Sequence, residues 1–400
     1  MSFFVAIFGL GFLILIHEAG HFFTALVVGV RPRSFNLGFG PPLAKITRKG
    51  IDYALRPIPL GGYVKIPGMH RPGPSDADAY FGRALRDVPQ LVGPVERVKR
   101  ALADGDAERA RSQLAEIERI AAQHEAADGV ERGVRELDDA LGPDAYWCQP
   151  IWKRILVIFA GPGTNALLAV VLFWLVFLVS GGKVTTTVGE VFSNRPAQAV
   201  GLHPGDRILA IEGKRVGPLD ISRRISSSEG RPITVTVERD GRIVVLGPVR
   251  ARPDEGVYRL GFRLRAQGLG AGEAAWESLT LTGVVTRETV KSLGRIVHKE
   301  GRKDIASPVG IVKESSNAAR AGVEQYLAVL GVISLSLALL NLLPLLPLDG
   351  GHIAFSIIEG VRGRAVAREV YERVSAIGIA LVLLLFFVGL SNDVGRLGGG

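Results

Sequence analysis

The sequence predicts a polytopic α-helical membrane protein with about four transmembrane helices, β-hairpins beside them and one separate α+β domain outside the bilayer. Three observations carry this reading. The 400-residue chain is 47% hydrophobic yet 22% charged, too apolar for an ordinary soluble protein and too polar to lie wholly in lipid. Apolar runs of membrane length recur over 3–30, 155–180, 326–348 and 374–390. Between them, 34–67 and 184–264 show short alternating stretches and turn residues instead of helical period.

Four spans put both termini on one side. The first has no basic leader and no small-residue cleavage site, so it is expected to be retained. Arg31, Arg33, Lys153 and Arg154 flank the first long loop, and Arg362, Arg364, Arg368 and Arg373 fill the short loop before the fourth span. The positive-inside bias therefore places 31–154 and 349–373 in the cytoplasm, with both termini outward. A net charge of +9 suits anionic lipid headgroups, and no nucleic-acid-binding signature is present. Cys148 is the only cysteine, which excludes an intramolecular disulfide and a thiolate metal cluster.

Inside the first span lies His17-Glu18-Ala19-Gly20-His21. On a helix, residues four apart share a face, so His17 and His21 can offer imidazoles to one metal ion while Glu18 stands beside them as a base. The pattern also occurs by chance on soluble helices. Here, however, three ionisable side chains sit among Phe, Leu, Ile and Val, where each costs about 2.5–3.5 kcal/mol unless something compensates it. A Zn²⁺ ion is the compensating partner that this chemistry implies, and it needs a further protein ligand.

That ligand is sought in the segment from Asn341 to His352, which reads NLLPLLPLDGGH. Pro344 and Pro347 remove backbone donors and leave carbonyls that lipid cannot satisfy, so this backbone must be buried in protein or line a cavity. Asp349 is the leading candidate and His352 the alternative. The plain alternative is a helix stop, since Pro, Asp and Gly-Gly also end helices.

At this point the chain resembles the site-2 protease family of intramembrane zinc metalloproteases. The resemblance rests on HEAGH and NLLPLLPLDGG, on Phe159-Ala-Gly-Pro162-Gly-Thr-Asn165, on Pro59-Leu-Gly61-Gly62-Tyr63-Val64-Lys65 and on Ser307-Pro-Val-Gly310-Ile. It implies Zn²⁺ held by His17, His21 and Asp349, with Glu18 as catalytic base. It further implies that Asn341, Asn165, Gly61 and Gly62 hold the substrate backbone. In that family the 34–67 region is a re-entrant β-structure that lines the active site and pairs with an extended substrate strand, which suits a transmembrane helix that must unwind before cleavage.

The expected order is thus a first span over 1–30, a membrane-associated β-hairpin region over 31–70, a loop with a helical insert over 71–150 and a second span over 151–182. A PDZ-like domain over 183–266 follows, then an amphipathic helix and linker over 267–322, a third span over 323–350, a loop over 351–373, and a fourth span and tail over 374–400. The insert is absent from the family pattern. Its Val95, Val98, Leu102, Leu114, Ile117 and Ile120 recur at helical spacing among charges, which predicts a solvated helical hairpin. The run from Arg195 to Gly213 looks like the helix–turn–strand core of a PDZ domain, with Pro204-Gly205-Asp206 as its tight turn. Residues 272–300 read as an amphipathic helix on the outer membrane surface.

The implied activity is hydrolysis of a peptide bond in the span of a single-span membrane protein, such as an anti-sigma factor already cut outside by an upstream protease, or a signal-peptide remnant. Two other classes compete: a silent membrane adaptor using the same fold, and a metalloprotease acting on soluble substrates at the membrane surface. The intact ligand set argues against the first, and the broken backbone at bilayer depth against the second.

Overall fold

The computed structural model describes residues 2–124, 127–180, 183–254, 257–295, 307–366 and 368–398. In chain order these form α1 (Ser2–Val28), β1 (Ser34–Phe39), β2 (Ala44–Arg48), β3 (Ile51–Leu55), β4 (Ile58–Lys65), α2 (Pro74–Phe81), α3 (Ala84–Asp87), α4 (Val92–Asp104), α5 (Ala107–Ala121), α6 (Ala127–Leu141) and α7 (Ile151–Ser180). Next come β5 (Lys183–Val191), α8 (Pro196–Ala199), β6 (Arg207–Ile211), β7 (Lys214–Arg215), α9 (Pro218–Ser226), β8 (Pro232–Arg239), β9 (Arg242–Arg250), β10 (Arg252–Asp254), β11 (Val257–Arg259) and β12 (Phe262–Gln267). The chain closes with α10 (Ala271–Arg295), α11 (Pro308–Ala321), α12 (Val323–Asn341), α13 (Asp349–Arg362) and α14 (Arg368–Gly398). It divides into two compact units, 1–169 with 284–400, and 170–283.

Four helices are long and apolar enough to cross a membrane: α1, α7, α12 and α14. At about 1.5 Å per residue, the 27 residues of α1 reach about 40 Å, enough for a hydrocarbon core of about 30 Å. Polar bonds tie three of them together. Thr164 of α7 donates to the Ile16 carbonyl of α1 at 3.1 Å, and Ser334 of α12 donates to the Asn165 carbonyl of α7 at 2.8 Å. At the far end of α14, Asp393 accepts from the Ser307 amide (2.8 Å), the Ser307 hydroxyl (2.6 Å) and the Gly310 amide (3.1 Å), so the SPVG stretch caps α11 and anchors α14.

The third span ends earlier than its expected limit of 350. α12 stops at Asn341, because Pro344 and Pro347 cannot donate to the helical ladder. Residues 342–348 instead form short turns, with the Leu345 amide on the Leu343 carbonyl (2.7 Å) and the Leu348 amide on the Leu345 carbonyl (2.8 Å). A new helix, the 14-residue α13, then runs through 351–362 of what the sequence suggested was loop.

The strands between α1 and α2 form a four-stranded sheet in the order β2-β3-β1-β4. β2 and β3 are a hairpin, but β1 pairs with β3 in parallel, so the segment is more than a run of hairpins. β4 is antiparallel to β1, with Ser34 opposite Lys65 and Leu37 opposite Gly62, and it forms one edge.

The insert is a small bundle, not a hairpin. Gly105, in the left-handed region at φ +75°, ends α4, and Asp106 caps α5 through the Arg109 amide. Val95, Val98, Leu102, Leu114 and Ile117 are buried, but so are Phe81 of α2 and Val130, Val134 and Leu137 of α6. The bundle grips the sheet through Arg33 to Asp139 (2.6 Å) and Asp144 (2.8 Å), and through Lys65 to Glu136.

In the second unit, a six-stranded sheet runs β12-β5-β6-β8-β9 with β7 beside β6. Val188, Ile208, Ile211, Val235 and Val237 of its strands pack against Leu202 and against Ile221 and Ile225 of α9. Asp206 is 1% exposed; it accepts from Arg239 at 2.7 Å through both oxygens and from the His203 amide at 2.8 Å. α10 (Ala271–Arg295) covers 272–295 of the helix expected over 272–300; residues 296–300 lie outside the described residues.

Candidate metal centre

One turn of α1 separates His17 from His21, so both rings leave the same face; their Nε2 atoms lie 3.2 Å apart. Asp349, the first residue of α13, brings its Oδ2 to 3.2 Å from His17 Nε2 and 3.4 Å from His21 Nε2. The broken backbone is what delivers it. α13 packs so closely on the turn before it that a Cβ at Gly350 would collide with the Leu342 and Leu343 carbonyls.

Each imidazole is held by its other nitrogen. His21 Nδ1 lies 2.9 Å from the Val157 carbonyl, an acceptor only, so Nδ1 carries the proton and Nε2 presents a lone pair. His17 Nδ1 faces the Asn165 amide at 3.4 Å. Asn165 is 0% exposed and its Oδ1 has no partner. Turning this amide over, which leaves its shape unchanged, lets Oδ1 accept from His17 Nδ1–H and frees the second Nε2 lone pair.

Three lone-pair donors then converge with no proton between them. Asp349 Oδ2 is buried without a hydrogen-bond partner, an arrangement that costs free energy unless a cation occupies the centre. The spacing fits one. Two donors each about 2.0–2.1 Å from a tetrahedral ion stand about 3.3–3.4 Å apart, and the three edges here are 3.2, 3.2 and 3.4 Å. His17, His21 and Asp349 thus form a fitting three-ligand site, the number of protein ligands that catalytic zinc sites use.

Glu18 follows His17 on α1, and the backbone of β4 comes up beside it. The strand approaches so closely that a Cβ at Gly62 would lie 3.0 Å from Glu18 Cγ and 2.9 Å from the Asn36 carbonyl; at Gly161 of α7 a Cβ would fall on the His21 ring. These two glycines let backbone reach the centre where any side chain would displace it.

The other sequence candidates lie at varying remove. Gly61 is next to Gly62 but faces Phe39. Asn341 is the last residue of α12, partly exposed, and among the described residues its amide has no partner. His352, the alternative to Asp349, bonds instead to Tyr371 of α14 at 2.6 Å. Sequence reasoning missed the Val157 carbonyl, since backbone groups carry no residue signature; Ser334, a hydroxyl in an apolar span, was a signal that could have been read.

Comparison with known proteins agrees with this geometry. The zinc metalloprotease RasP of Geobacillus kaustophilus is 29% identical over 414 residues, covering 98% of this chain and 96% of its own. A second zinc metalloprotease RasP, from Shouchella clausii, is 27% identical over 419 residues, covering 98% of each chain. The sequence profile of peptidase family M50 matches residues 5–385, and with the HEAGH helix and Asp349 meeting at one point, the chain belongs to that family.

Proposed function

We propose that the protein is a zinc-dependent endopeptidase of the site-2 type that hydrolyses a peptide bond within the transmembrane segment of a single-span substrate. The observation that carries the reading is the convergence of His17, His21 and Asp349 at 3.2–3.4 Å on a helix of membrane length. His17, His21 and Asp349 hold the ion; Zn²⁺, when bound, supplies Lewis acidity that acidifies water and draws charge from the scissile carbonyl.

The chain's own groups do the rest. Glu18 takes the proton of the attacking water at its carboxylate and returns it to the leaving amine. The Val157 carbonyl and Asn165 hold the two imidazoles in the tautomer that binds metal, so we assign Asn165 to positioning His17 rather than to the substrate. β4 is a sheet edge beside Glu18, which suits it to receive an unwound substrate as an added strand, with Gly62 admitting that strand close to the base. Asn341, at the lip of the same region, is the residue we assign to the substrate backbone.

On this reading the 34–65 sheet is re-entrant, the insert lies in the cytoplasm, and 183–266 is a PDZ-like domain on the outer side that admits clients whose outer domain has been trimmed. The substrate class is then single-span proteins such as pre-cut anti-sigma factors or signal-peptide remnants. The test is to incubate the full chain in detergent with a tagged single-span protein lacking a bulky outer domain and to map products by mass. A cut inside the span supports the proposal; cuts confined to extramembrane sequence would replace it with a surface protease.

A further inference from the structure

We propose that the cleft at the end of α1 binds the phosphate of an anionic phospholipid headgroup. It is a cavity of about 550 Å³, walled on one side by Leu26 and Arg31 and on the other by Arg48, Lys49, Ile51 and Tyr53 of the β2–β3 hairpin. The inference rests on α1 being a membrane span and is independent of the proposed protease activity.

Charge is the first argument. Arg31, Arg48 and Lys49 surround the cleft, all exposed, and none has a carboxylate partner among the described residues. The hairpin's single acid, Asp52, is taken by Lys45 at 2.8 Å and Thr47 at 2.6 Å. Arg33, two residues beyond Arg31, is by contrast paired with both Asp139 and Asp144. The fold thus neutralises one of two neighbouring arginines and leaves the other facing the cleft.

Backbone is the second. Arg48 opposes Ile51, so Lys49 and Gly50 are the two central residues of a tight hairpin turn, both with positive φ, +52° and +72°. Glycine and asparagine favour such positions; a lysine there is strained and brings a long cationic side chain to the mouth of the cleft. The Arg31 guanidinium donates to the Lys49 carbonyl, which fixes it over the turn with its remaining donors free.

Depth is the third. The cleft starts at the last turn of a membrane-length helix, where Leu26 is 41% and Val27 85% exposed, as suits lipid-facing side chains. Two guanidinium groups and an ammonium line the cleft and can serve a headgroup phosphate, while Leu26, Ile51 and Tyr53 offer an apolar wall for the glycerol and first methylenes. A free oxyanion would use the cations and leave that wall bare. The wall favours the lipid.

Native mass spectrometry of the full, delipidated chain in detergent tests this, with phosphatidylglycerol and phosphatidylcholine as probes. We expect one phosphatidylglycerol held in preference to phosphatidylcholine and retained in excess inorganic phosphate. Each basic residue near a membrane contributes about 1 kcal/mol, so Arg48→Gln should weaken retention about fivefold and Arg48→Gln with Lys49→Asn about 25-fold. Asparagine tolerates the turn, and Arg48 is exposed, so both variants should fold, as their melting temperature in detergent would report. Unchanged retention in the double variant, equal retention of phosphatidylcholine, or displacement of the lipid by inorganic phosphate would each overturn the proposal.

Discussion

Asn165 makes the sharpest claim at the scale of single residues. Outer partners of metal-bound histidines typically govern metal affinity by 10–100-fold. Asn165→Ala should therefore weaken zinc binding by about that factor, read by competition with a chelator; a residue that only held substrate would raise KM and leave zinc affinity unchanged. Gly62→Val makes the complementary test. Its side chain would press on Glu18 and the Asn36 carbonyl, so cleavage should fall about a hundredfold while zinc content stays at wild type. The two differ in legibility. His17, Glu18 and His21 could be read from spacing because their geometry is local to one helix, and Asp349 because proline and glycine betray broken backbone at membrane depth. The partnership of Asn165 with His17 spans 148 residues and depends on how α7 packs on α1, which no local pattern encodes.

Among the elements, the Asp206 turn carries the prediction. The sheet was legible as alternating strands, but the parallel pairing of β1 with β3 was not, since register between non-adjacent strands is decided by packing. α13 was hidden for a related reason: the loop's charges masked a helix that forms because Asp349, Gly350 and Gly351 start it against the preceding turn. In the β-rich unit, burial alone would raise the Asp206 carboxyl pKa, but the Arg239 guanidinium and the His203 amide outweigh it and hold it below its usual value. The sign follows. A carboxyl whose folded pKa is lowered stabilises the fold at neutral pH, and that contribution is lost as pH falls from about 4 through the folded value. Asp206→Asn should therefore cost about 2 kcal/mol at pH 7 and less at pH 3, measured by hydrogen exchange at β6 and β8.

For the whole molecule, the question is which side each segment faces. Four membrane-length helices were expected from apolar runs alone, and α1, α7, α12 and α14 occupy them. The insert's bundle was only half visible, since the buried residues of α6 lie among Asp, Glu and Arg at a period the eye takes for a solvated face. Orientation can be checked without any mutation. Cys148 is the single cysteine and is exposed. If 31–154 is cytoplasmic, an impermeant maleimide should leave Cys148 unlabelled in intact cells and label it once the membrane is opened.

The central claim is that one metal, held by His17, His21 and Asp349, works with Glu18 to cut inside the bilayer. It is tested most directly by measuring zinc content and span cleavage together in wild type, Glu18→Gln and Asp349→Asn. Wild type should hold about one zinc per chain and cut. Glu18→Gln should keep the zinc and lose at least about a hundredfold in rate, and Asp349→Asn should lose both. Cleavage by Glu18→Gln at the wild-type rate, or full zinc retention in Asp349→Asn, would contradict the account.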